Sequence, residues 1–144
     1  MGGGTMTRDA IEPGLRVRLA DPYDATIEKV TAALKEQGFG VITTIDVKET
    51  LKQKLDVDFR RYAILGACNP SFAHQALSTD LEIGLYLPCN VIVYEEDEGS
   101  TVVSVIDPLQ TVAARSASPE LREVAGLAAQ KLRRVLAHLA EAPP

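Results

Sequence analysis

Apolar and basic residues alternate strictly along Leu15-Arg16-Val17-Arg18-Leu19, the period-two pattern of a strand with one face on a core and one in water. Beyond it, Asp21-Pro22-Tyr23-Asp24 supplies an N-cap, a proline at the first helical position and an acid in the first turn. Ile27, Val30 and Leu34 then share one helical stripe, which predicts a helix running to about Gln37 and stopping at Gly38. Val41 to Val47, rich in β-branched residues after the Gly38-Phe39-Gly40 turn, reads as a second strand. Lys48 to Leu55 reads as a short polar helix, and Tyr62 to Cys68 as a central strand. Asn69 caps a further helix with Pro70 at its first position and Phe72, Ala73, Ala76 and Leu77 facing inward.

The span Cys89 to Glu95, the turn Glu96-Asp97-Glu98-Gly99-Ser100 and the run Thr101 to Ile106 form a β-hairpin that ends at Asp107-Pro108. Ser118-Pro119-Glu120 opens a long final helix whose apolar stripe is Leu121, Val124, Ala125, Ala128, Leu132, Val135, Leu136 and Leu139. The element order is β-α-β-(α)-β-α-β-β-α, which predicts an α+β fold: a mainly antiparallel sheet with helices segregated to one face.

The chain has 144 residues, enough for one domain with a real core and no disulfide or metal staple. Residues 1–13, with three consecutive glycines near the start, read as a leader outside the fold, and 14–141 as a single domain. A net charge of -5 argues against nucleic acid as a partner. No run approaches the roughly 20 apolar residues that span a bilayer, and no signal-peptide pattern opens the chain, so the expectation is a cytoplasmic protein that does not engage membranes. Only two cysteines, Cys68 and Cys89, are present, which fits reduced thiols. There is no Gly-x-Gly-x-x-Gly, P-loop, His-Glu-x-x-His or Gly-x-Ser-x-Gly, so nucleotide enzymes and α/β-hydrolases are not indicated, and no cofactor is expected.

Ile64-Leu65-Gly66-Ala67-Cys68-Asn69-Pro70, together with Gly84, Leu87, Pro88, Cys89, Asn90 and Val91, resembles the domain of unknown function 302 family. The likeness runs from about Val17 to Leu109 and takes in Gly38-Phe39 and Ile106-Asp107-Pro108. It implies a small bacterial or archaeal protein with a curved, TATA-binding-protein-like sheet that forms homodimers, and it implies no activity.

Chemistry-bearing residues converge if the strands ending at Cys68 and starting at Cys89 adjoin in antiparallel fashion. Cys68, Asn69, Pro70, Pro88, Cys89 and Asn90 would then share one end of the sheet, with His74 on the helix above. Three readings compete there. In the first the asparagines cap, the prolines fix the chain and the thiols pack as small apolar groups. In the second, a helix N-terminus near Pro70 activates Cys68 for a thiol-dependent or redox-responsive enzyme, with Cys89 as resolving thiol. The third, a metal held by Cys68, Cys89 and His74, lacks the fourth ligand of a structural zinc and is not favoured. The acidic hairpin tip and His138 need only solvent and a helix dipole. The function expected is a homodimeric module that binds a small-molecule ligand or a partner, with the thiol enzyme as alternative.

Overall fold

The computed structural model describes residues 14–141. Strand β1 (Gly14–Leu19) leads through a tight bend to helix α1 (Tyr23–Glu36), followed by β2 (Gly40–Asp46), α2 (Val47–Leu55), β3 (Tyr62–Cys68) and α3 (Pro70–Thr79). A 3-10 turn over Leu81–Tyr86 then precedes the hairpin β4 (Cys89–Glu95) and β5 (Thr101–Ile106), the one-turn helix α4 (Val112–Arg115) and the long α5 (Pro119–Glu141). All neighbouring strands pair antiparallel, in the order β1-β5-β4-β3-β2. The α+β architecture expected from the alternating pattern is what forms.

The local reasons are largely those written in the residues. Asn69 caps α3 by accepting a hydrogen bond from the Phe72 amide at 3.1 Å, and Asp46 does the same for α2 with the Glu49 amide at 3.0 Å. Gly38, at φ +85°, closes α1: the Phe39 amide donates back to the Leu34 carbonyl while Gly38 turns the chain left-handed. Two boundaries differ from expectation. Helix α1 begins at Tyr23, with Pro22 in the extended cap position and no side-chain cap. Asp21 is instead buried and paired with Lys29 at 2.5 Å, while its carbonyl accepts from Thr101 Oγ1 at 2.8 Å. Asp21 thus ties β5 to α1, through its carbonyl on one side and its carboxylate on the other, rather than capping the helix. Val47 opens α2 rather than closing β2, because Asp46 supplies a cap where the strand ends.

Helices α1 and α5 lie on one face of the sheet. Val30, Leu34, Leu65, Val91, Val93, Val103, Val105, Leu132 and Val135 make the main buried cluster, and the whole predicted stripe of α5 is buried. A second, smaller cluster of Ala76, Ile83, Val112, Leu121, Val124 and Ala125 sits beneath α3. Phe72 packs against both. Among the described residues no helix is long and apolar enough to cross a membrane.

The hairpin tip is less plain than a solvated acidic turn. Glu96 takes a bidentate pair from Arg18, with Nε at 2.6 Å and a terminal nitrogen at 2.9 Å, and also accepts from Ser100 Oγ at 2.7 Å. These hydrogen bonds hold its carboxyl down to about 2, well below the ordinary carboxylate value.

Candidate functional site

The strand adjacency on which a shared thiol site depends is present. β3 and β4 are hydrogen-bonded neighbours, Ala67 stands opposite Cys89, and Cys68 follows one residue on. Both cysteines are free thiols, Cys68 half-buried and Cys89 buried.

They border a cavity of about 50 Å³ at the seam between the two buried clusters. Phe39 and Phe72 stand at one side, their ring centroids 6.4 Å apart and tilted by 60°. Leu87, Pro108, Val112 and Val124 come from four other segments of chain, and alanines at 67, 73, 76, 125 and 128 leave the room between them. The lining is almost wholly apolar: Asn69 and the two thiols are the polar groups beside it. An apolar hollow of this kind offers water few hydrogen-bond partners and suits an apolar group better.

Each wall has a local cause. The Asn69 cap fixes the first turn of α3 and thereby Phe72. The Gly38 turn delivers Phe39 to the inner face, where it is buried. Pro88, joined to Leu87 by a cis peptide bond, rests on Gly66: a methyl group at Gly66 would lie 2.7 Å from Pro88 Cγ and 2.3 Å from Thr43 Oγ1. That close approach requires glycine and seats the segment leading to Cys89. At Gly38 an added carbon would meet the Asn69 amide at 3.0 Å, so the turn and the cap are in contact.

Burial pushes the Cys89 thiol up to about 11, with the neighbouring Cys68 adding to the effect. Cys89 is therefore a protonated, apolar wall group near neutral pH.

Of the residues expected at this end of the sheet, Cys68, Asn69, Pro88 and Cys89 line the cavity together. Pro70 opens α3 with its ring exposed, and Asn90 is exposed on the outer sheet face opposite Gly66. His74 turns away, joining Gln75, Ser78 and Thr79 in a shallow depression against Glu120 and Glu123 of α5. It is absent from the cavity wall, and among the described residues no group of three or more His, Cys, Asp or Glu side chains could hold a metal ion. Phe39, Leu87, Pro108, Val112, Val124 and Ala125 complete the wall without having been singled out as site residues. Gly38-Phe39 and Asp107-Pro108 read as a turn and as the end of the hairpin, and as parts of the family resemblance, but not as site residues.

The family model for the domain of unknown function DUF302 matches residues 15–139. The chain belongs to the DUF302 family. A crystal structure of an uncharacterized conserved DUF302 protein from Bacillus stearothermophilus superposes on it with a TM-score of 0.80 at 32% identity, covering 89% of this chain and 98% of the other. No curated protein matches the chain. The elements that build the cavity, from the Gly38 turn to the α5 stripe, all fall within the matched span.

Proposed function

We propose that this DUF302 protein is a homodimeric binding module whose cavity takes the apolar end of a small ligand or of a partner's side chain. The supporting observation is the hollow itself: almost wholly apolar, partly open and walled by two phenylalanines and five alanines, with Asn69 and Cys68 as its polar margin. At about 50 Å³ it accommodates a group of a few heavy atoms, so the ligand is recognised by a short alkyl or thioether end rather than by a ring system. The dimer is the expectation that accompanies the family resemblance.

Methyl-resolved NMR with 1-butanol as probe tests the cavity. Saturable shifts confined to Ala73, Ala76, Leu87, Val112 and Val124, absent with 1,4-butanediol and lost in Ala73→Leu, are expected. Equal shifts with both alcohols, or shifts spread across the chain, overturn the reading.

The alternative is a thiol-dependent or redox-responsive protein. Its support is the half-buried Cys68 directly before the capped start of α3. Cys89 is a poor resolving thiol, since its burial holds it protonated. Labelling both cysteines across pH, with and without chelator and read by mass spectrometry, separates the two: rapid labelling of Cys68 at neutral pH supports thiol chemistry, and labelling only on unfolding removes it.

A further inference from the structure

The polar groups beside the hollow differ in what they can offer a ligand. Asn69 has both its oxygens engaged. Its carboxamide oxygen accepts from the Phe72 amide at 3.1 Å, and its backbone carbonyl accepts from the Ala73 amide at 2.9 Å. Only an oxygen can take the Phe72 N–H, so the cap fixes which end of the carboxamide is left over: it is the nitrogen, Nδ2, with two N–H donors. Among the described residues no acceptor is paired with it. It lies against the Gly38 turn, 3.0 Å from where a carbon added to Gly38 would stand, directly before Phe39 enters the wall of the hollow.

The rest of the lining adds little to this donor. Cys68 and Cys89 carry thiols, which are weak hydrogen-bonding groups, and the other described side chains there are Phe, Ala, Leu, Pro and Val. None of them is charged and none presents a strong acceptor.

We infer that the ligand is a short aliphatic carbonyl compound, a ketone or aldehyde, with its few-carbon tail in the hollow and its oxygen on Asn69 Nδ2. This rests on the binding reading above and names the class of molecule bound. The alternatives each leave a polar group unpaired. A carboxylate would lose its hydration beside a lining with no cation, and an ammonium would find no acceptor. An alcohol brings an O–H donor to a margin that already holds donors. A carbonyl oxygen only accepts, so it satisfies Nδ2 and brings no donor of its own.

Methyl-resolved NMR titrations with 2-butanone, 2-butanol and sodium butyrate test it, on the wild type, Asn69→Asp and Asn69→Ser. Asn69→Asp keeps an oxygen for the Phe72 amide, and with it the cap, but puts a second acceptor where Nδ2 stood. Asn69→Ser keeps a capping oxygen and has no amide nitrogen. In the wild type, saturable shifts at Ala73, Ala76 and Val112 are expected with the ketone and the alcohol, and none with butyrate. The two uncharged probes share one carbon skeleton, so comparing the ratio of their Kd values between proteins cancels their own hydration. The ketone loses a hydrogen bond in Asn69→Asp and the alcohol gains one, which should move that ratio about tenfold toward the alcohol, with Tm close to the wild type. Asn69→Ser should move it the same way by a smaller factor. A ratio unchanged in both variants, or saturable butyrate shifts in the wild type, overturns the carbonyl class and leaves the hollow standing as a binding site. No saturable shift with any probe overturns the hollow, and the ligand class with it.

Discussion

Gly66→Ala probes the contact that seats the cavity's lower wall. The added carbon would stand 2.3 Å from Thr43 Oγ1 and 2.7 Å from Pro88 Cγ, where about 3.5–4.0 Å is comfortable between carbons. Thr43 lies on the exposed β2 edge and can turn aside only at the cost of its native rotamer, about 0.5–1 kcal/mol. The Pro88 ring has no such freedom, because the residues on either side of it, Leu87 and Cys89, both line the cavity. Overpacking of this kind costs about 1–3 kcal/mol. The reduced freedom of the unfolded chain returns about 0.4–1 kcal/mol; with the clash on the Pro88 ring in the upper part of the overpacking range, about 2–3 kcal/mol, the net loss is about 1–2.6 kcal/mol. At roughly 3–6 °C per kcal/mol for a domain of this size, Tm should fall by about 3–16 °C. Scanning calorimetry on the wild type, Gly66→Ala, Thr43→Ala and the double variant completes a cycle. Removing Thr43 Oγ1 relieves the nearer contact, so the double variant should recover about 0.5–1 kcal/mol relative to additivity. An unchanged or raised Tm in Gly66→Ala, or strict additivity in the cycle, refutes the reasoning.

Asn69→Ala removes the cap on α3 and should cost about 1 kcal/mol, seen as a lower denaturation midpoint with unchanged slope, while Asn69→Ser should retain most of it. Raising the Cys89 thiol from 9.0 to about 11 cuts its thiolate fraction near pH 8 about a hundredfold, so native-state alkylation of Cys89 should be far slower than in urea; equal rates contradict the buried placement. The Glu96 carboxyl is depressed in the folded state, so its stabilising effect is complete above the ordinary carboxylate value of 4.5 and is lost as pH falls toward about 2. Glu96→Gln should therefore flatten the pH dependence of Tm in that window and weaken its salt dependence, and a curve identical to wild type argues against the pair.

Most of the fold was legible because local and global signals agree. The Leu15–Leu19 alternation, the Asn69-Pro70 start of α3 and the stripe from Leu121 to Leu139 each specify an element and its buried side. What was not legible depends on tertiary partners. Asp21 has cap chemistry, but Lys29 and Thr101 recruit it into the interior, so α1 starts one residue later. Tyr62-Ala63-Ile64-Leu65 reads as a central strand with no polar face to mark its buried side, and the fold fully buries Ala63 and Leu65 while leaving Tyr62 and Ile64 half-buried. The 3-10 turn from Leu81 to Tyr86 has no periodic pattern, and it leaves Leu81 and Leu85 exposed.

The candidate site divides the same way. Proximity of Cys68 and Cys89 followed from antiparallel geometry once their strands adjoined. The cavity did not, because it forms where Phe72 and Ala76 of α3 meet Val124 and Ala128 of α5, residues about 50 positions apart that read simply as helix core. His74 and Asn90 were grouped with the cysteines by nearness in sequence. A helix turns its side chains by about 100° per residue and a strand by 180°, and those rotations carry His74 toward Glu120 and Asn90 to the outer sheet face.

The central claim, a hollow that receives a small apolar group, is tested most directly by a crystal of the protein pressurised with xenon. The account predicts one well-occupied xenon between Phe39, Phe72 and Cys89, displaced in Ala73→Leu. Side chains closing the seam, with no xenon there at any pressure, would contradict it.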